Sequence, residues 1–99
     1  MTQTGTRVIA TFNAQPGKER QLIEILTALI EPTRAEAGCH LYELWRDRAD
    51  PTELTFVEEW DSDEALAVHG ESAHIREARA RYPELIAREV DLRLYDLVG

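Results

Sequence analysis

Glu58-Glu59-Trp60-Asp61-Ser62-Asp63-Glu64-Ala65-Leu66-Ala67-Val68-His69-Gly70-Glu71-Ser72-Ala73-His74 reads as a strand end, a helix, a glycine break and a second helix start. Asp61 is placed to cap the first helix, with Glu64 three residues on completing a capping box. Gly70 ends that helix, and Ser72 is placed to cap the next, which runs to about Arg88 with a local break at Pro83. The stretch holds one of the two tryptophans and two of the three histidines. A strand end feeding a broken helix builds a pocket wall; Trp and His bring stacking, hydrogen bonding and proton transfer.

Outward from this stretch the pattern is regular. Thr6–Ala14 alternates, with Val8, Ala10, Phe12 and Ala14 on one side and Arg7, Ile9, Thr11 and Asn13 on the other, which predicts a strand. Pro16-Gly17 ends it. Lys18–Ala37 places Leu22, Ile25, Leu26 and Leu29 at helical spacing, with Pro32 as a kink and Gly38 as a left-handed stop. Cys39–Arg48 and Glu53–Trp60 flank the turn residues Ala49-Asp50-Pro51-Thr52 and predict an antiparallel hairpin. Val90–Leu97 alternates again as a last strand.

The order β-α-β-β-α-β, with its second helix split, predicts a ferredoxin-like α+β fold: a four-stranded antiparallel sheet with helices on one face. The second face should be polar if solvent covers it. Here it carries Ile9, Leu41, Trp45, Val57, Tyr95 and Leu97 among its residues. A sheet apolar on both faces needs a second cover, and the simplest is another copy, in a two-fold homodimer.

Composition sets the outer bounds. Ninety-nine residues, 43% apolar and 30% charged, predict one globular domain, with residues 1–5 as a frayed leader. No apolar run spans a bilayer, and no basic-then-apolar start marks a secretory signal. A formal net charge of −8 argues against nucleic acid and anionic membrane as partners. The single cysteine, Cys39, excludes an internal disulfide and suits a reducing, cytoplasmic setting. It lacks activating neighbours in sequence and reads as a small hydrophobe.

Four segments in this order resemble the antibiotic biosynthesis monooxygenase (ABM) domain family, the dimeric α+β barrels. They are Gln15-Pro16-Gly17-Lys18, Gly38-Cys39-His40-Leu41-Tyr42-Glu43-Leu44, Glu58-Glu59-Trp60-Asp61-Ser62 and Ser72-Ala73-His74. The resemblance covers residues 7–97. It implies oxidation of an electron-rich quinol, phenol or anthrone-like ring by molecular oxygen, with no metal or flavin cofactor. It places Trp60 as a pocket wall at the end of the third strand. The polyketide-anthrone branch has an Asn and a Tyr where this chain has Phe56 and Leu66, and a helical Arg matched by Arg79. The haem-degrading branch needs Asn, Trp and His where this chain has Ala10, His69 and Arg79, which argues against haem. The small quinol monooxygenases carry histidines on either side of the helix break, matched by His69 and His74.

The candidate site is therefore His74, His69 and Arg79 for catalysis, and Trp60, Phe56 and Tyr42 for substrate. The two histidines have neutral-range pKa values suited to a base at pH 7. A separation of five residues puts them on different faces of a continuous helix, so the Gly70 break decides whether they share a cavity. No third residue at a convincing spacing completes a metal site with them, so none is expected. Glu58 shares Trp60's face; Glu59 faces the other way, with Arg7 or Arg93 available to pair it. Asn13 falls at the strand end on the second face. A non-catalytic small-molecule-binding dimer, and an oxygen-independent isomerase or decarboxylase, remain as alternatives; an open cavity holding both histidines favours catalysis.

Overall fold

In the computed structural model, which describes residues 5–99, the sheet order is β2-β3-β1-β4 and every pairing is antiparallel. The elements are β1 (Thr6–Asn13), α1 (Glu19–Thr27), α2 (Ile30–Arg34), β2 (Cys39–Arg46), β3 (Glu53–Trp60), α3 (Asp63–Gly70), α4 (Ala73–Leu85) and β4 (Asp91–Tyr95). This is the expected ferredoxin-like α+β order. The predicted frayed leader falls, but for Gly5, outside the described residues. No helix among the described residues is long and apolar enough to cross a membrane.

Strand periodicity decides the core. Thr6, Val8, Ala10, Phe12 and Ala14 are buried, and their register partners on β3 include Leu54, Phe56, Glu58 and Trp60 on the same face. Tyr42 joins them from β2, opposite Glu58. Leu22, Leu26 and Leu29 from the first helical stretch, and Ile75, Ala78 and Leu85 from α4, cover this face. Burying such a side chain is worth about 1.5–3 kcal/mol each, so this face supplies most of the hydrophobic driving force.

The helical details differ from the sequence expectation. Lys18–Ala37 is two helices, because Pro32 lacks the N–H that would bond the Ala28 carbonyl, and the chain resets at Ala28–Leu29. Ser62, not Asp61, caps α3: its hydroxyl accepts from Ala65 N at 3.1 Å. Asp61 is occupied elsewhere, its N–H donating to Gly38 O at 2.7 Å and its carboxylate meeting His40 Nε2 at 3.2 Å. The carboxylate of Asp63 accepts from Thr6 Oγ1. Ser72 sits at the N-cap of α4 without capping it; its hydroxyl donates instead to His69 O at 2.7 Å, across the break. Pro83 does not break α4 but falls in its last turn, and α4 stops at Leu85 rather than near Arg88. The last strand is shorter than Val90–Leu97.

The second sheet face is uncovered by the described residues. Trp45 is 56% exposed and all of β4 is exposed. Arg7 Nη2 pairs with Glu59 Oε1 at 3.5 Å, while Arg93 is taken by Asp91. Asn13 Nδ2 donates to Glu53 Oε1 at 3.4 Å at the strand end.

Gly38 joins the first helical layer to β2 with φ +84, a conformation costly for any other residue. A Cβ there would lie 2.8 Å from Ala65 Cβ on α3. Gly17 has a similar φ of +83 but open space around it. Gly17→Ala is expected to lower stability by about 1–2 kcal/mol, the left-handed cost alone. Gly38→Ala should lose clearly more, because α3 must also shift; thermal melts of the two variants measure the difference, and equal losses would contradict the packing described.

Candidate functional site

Between the sheet and α3–α4 lies a cavity of about 410 Å³. It exists because two positions are small: Ala10 on β1, opposite Phe56, and Gly70 at the end of α3. Phe12, Phe56, Leu66, Ile75 and Tyr82 give it apolar walls, and Leu92 stands at its β4 side. The polar groups reaching it are Glu58, His69, Arg79 and the two tyrosines, Tyr42 and Tyr82. An apolar hollow with a few convergent polar groups is the usual form of a small-molecule site, and this volume suits a small ring system.

His69 is fixed from three sides. It is 6% exposed, with its ring 4.6 Å from Trp60 and 5.6 Å from Tyr42, centroid to centroid. Its Nδ1 lies 2.8 Å from Glu36 Oε2, on the loop between α2 and β2. A carboxylate only accepts, so Nδ1 carries the proton and Nε2 holds a lone pair. Nε2 makes no hydrogen bond to the described residues, and the ring lines the cavity. Burial lowers the His69 pKa, outweighing the opposite pull of the Glu36 hydrogen bond and charge. The ring is therefore neutral at pH 7 and able to accept a proton.

His74 shares the carboxylate but not the cavity. Its Nε2 is 2.8 Å from the same Glu36 Oε2 and 3.3 Å from Ser72 Oγ. It lines a separate, shallower cleft of about 220 Å³ between the first helical stretch and α4. The Gly70 break thus brings the two histidines to one acceptor, with ring centroids 6.1 Å apart, and leaves only His69 facing the main cavity.

Trp60 also departs from its expected position. It is 1% exposed and lies behind the cavity rather than in its wall. From there its Nε1 donates to Glu58 Oε1 at 2.8 Å. Phe56 and Tyr42 do line the cavity, their rings stacked at 4.5 Å. Arg79 stands at the rim, its Nη2 donating to Gly70 O at 3.0 Å and so tying α4 to the end of α3.

Two residues are added to the sequence-derived set. Glu36 is separated from its histidines by 33 and 38 positions, so no local spacing signalled it. Glu58 was legible as a residue on Trp60's face; the structure adds that it is only 5% exposed and lines the cavity. Burial pushes its carboxyl up to about 7, against the Trp60 hydrogen bond that pulls it down. Cys39 stays a poor nucleophile, its thiol pushed up by burial and by Glu36 and Glu58.

The site is thus an apolar pocket between a four-stranded antiparallel sheet and a split helical layer, in an α+β fold. The chain belongs to the antibiotic biosynthesis monooxygenase family, whose profile matches residues 6–81. It is 42% identical over 83 residues to "Putative monooxygenase Rv0793" of Mycobacterium tuberculosis, covering 84% of this chain and 81% of that one. The solved structure of Rv0793 superposes with a TM-score of 0.92, at 34% identity and 97% coverage of both chains. PA3566 from Pseudomonas aeruginosa gives a TM-score of 0.90 at 34% identity, covering 100% of this chain and 99% of that one. An uncharacterized Synechocystis protein is 27% identical over 91% of this chain, and there the match spans 61% of the relative's length.

The Glu58 carboxyl makes stability depend on pH. Its folded value of about 7 exceeds the ordinary 4.5, so between these values the folded chain keeps a proton that the unfolded chain has lost. The associated stability is complete below about pH 4.5 and disappears as pH rises through 7, a change of order 3 kcal/mol. Glu58→Gln keeps an acceptor for Trp60 and cannot ionise. Its melting temperature should exceed the parent's at about pH 8.5, and the gap should close near pH 5. A gap independent of pH would contradict an ionisable, desolvated Glu58.

Proposed function

We propose that the protein is a cofactor-independent monooxygenase that oxidises a small aromatic quinol or phenol with molecular oxygen. The observation that carries this reading is the His69 ring, held by Glu36 with its Nε2 free, on the lining of an apolar, ring-sized cavity. Family membership supports oxygenase-type chemistry.

In this reading the substrate ring lies against Phe56 and Tyr42. His69 Nε2 removes a hydroxyl proton, because the electron-rich anion is the species that reduces oxygen. Arg79 at the rim offsets the developing negative charge. For a phenol, one oxygen atom stays on the para ring carbon as the new carbonyl of a quinone; the other leaves as water with the hydroxyl hydrogen and the hydrogen of that carbon. In this reading Glu58, with its carboxyl near 7 and on the cavity lining, returns a proton to the departing oxygen. The apolar walls keep bulk water from the reduced-oxygen intermediate. His74 acts through Glu36 rather than on substrate.

The working form in this proposal is a homodimer. The exposed Trp45 and Tyr95, on the sheet face away from the helices, support a second copy as its cover. Sedimentation equilibrium at micromolar concentration should give twice the chain mass of 11.3 kDa; a protomer mass would contradict the dimer.

Oxygen uptake against a panel of hydroquinones and naphthols tests the chemistry. At least one substrate should be consumed faster than buffer autoxidation. His69→Ala should lower that rate by about 10²-fold or more, while the surface variant His40→Ala leaves it unchanged. Uptake no faster than autoxidation across the panel, or full activity in His69→Ala, would contradict the proposal.

A further inference from the structure

We propose that Glu36, His69 and His74 form a binding site for a single divalent transition-metal ion, with Zn²⁺ the best match. The donor atoms are Glu36 Oε2, His69 Nδ1 and His74 Nε2, and all lie within 4.8 Å of one another. Two imidazoles and one carboxylate, with a position left for water, form a borderline donor set that Zn²⁺ accepts tetrahedrally.

The three donors come from three different parts of the fold: the loop before β2, the last turn of α3 and the first turn of α4. Their convergence is therefore a tertiary arrangement and not a consequence of one helix face. The two contacts to Glu36 Oε2 are 2.8 Å each. Zinc bonds of about 2.0–2.1 Å set tetrahedral donor separations near 3.3 Å, so each contact needs to open by only about 0.5 Å. Rotation of the Glu36 side chain provides that.

Charge and access both fit. Glu36 has no Lys or Arg partner among the described residues; the groups bonded to its Oε2 are the two imidazoles. The side chains are 15% exposed for Glu36, 8% for His69 and 23% for His74, so a bound ion would be largely desolvated yet reachable. On its outer side His74 borders the shallow cleft, where Glu77 offers an acidic neighbour and Arg81 a basic one. A chain of net charge −8 attracts cations over a longer range.

Occupancy would act on the main cavity. With Nδ1 bound to metal, the His69 proton moves to Nε2, and the ring then presents a donor where it otherwise presents a lone pair. Under the oxidation proposed above, on which only this consequence rests, the ion would switch the base off.

Calorimetric titration of chelator-treated full-length chain with Zn²⁺, without substrate, tests the site. One ion per chain should bind with a dissociation constant below about 10 μM. Glu36→Gln and His74→Ala should each weaken binding at least tenfold while retaining a cooperative melt, and His40→Ala should leave it unchanged. Substituted Co²⁺ should show the visible bands of a low-coordinate nitrogen–oxygen site, lost in His74→Ala. No saturable binding, or equal binding in Glu36→Gln and His74→Ala, would overturn the site. Either result is read without turnover and leaves the oxidation proposal standing on its own assay.

Discussion

One carboxylate oxygen, Glu36 Oε2, holds the two sides of the helix break to the loop that feeds β2. Without it, His69 would be a buried imidazole with no partner for Nδ1, a cost of about 1–3 kcal/mol for the unsatisfied group. With it, the ring is clamped between Trp60 and Tyr42 in a defined tautomer. The break at Gly70 is held by two further bonds, from Ser72 Oγ to His69 O and from Arg79 to Gly70 O. The geometry of the α3–α4 junction, and with it the shape of the cavity, follows from these contacts.

The cavity itself is a consequence of side-chain size on an otherwise closed face. Phe12, Phe56, Trp60 and Tyr42 fill the space between sheet and helices at large-residue positions, and Ala10 and Gly70 leave the gap. Into that gap the chain directs two groups that burial pushes toward neutrality in opposite ways. His69 is lowered and stays unprotonated; Glu58 is raised and holds its proton to about pH 7. One apolar hollow thus carries a proton acceptor and a proton donor, the pair on which the proposed oxidation draws.

The fold was legible in the sequence because its signals are local. Period-two alternation in Thr6–Ala14 and Glu53–Trp60, and turn residues at Pro16-Gly17 and Asp50-Pro51, place the elements without reference to tertiary contacts. Capping was read one residue off, since Asp61 and Ser62 are both good N-caps and only the bond from Asp61 N to Gly38 O selects between them. The site was half legible. His69, Phe56, Tyr42 and Arg79 reach the cavity; His74 and Trp60 stand behind it, because face assignment cannot measure depth. Glu36 was invisible, as a link across 33 residues leaves no periodic trace, and with it went the third donor that sequence spacing did not supply for a metal.

The central claim is that Glu36 fixes His69 as a neutral ring protonated on Nδ1, with Nε2 free toward the cavity. Two-bond ¹H–¹⁵N correlation spectra of the ¹⁵N-labelled, metal-free protein at pH 7 report the protonation of each ring nitrogen directly. The account requires a pyrrole-type shift at Nδ1 of His69 and a pyridine-type shift at Nε2, exchanged or lost in Glu36→Gln. A ring protonated on Nε2 alone, or an imidazolium at pH 7, would contradict it.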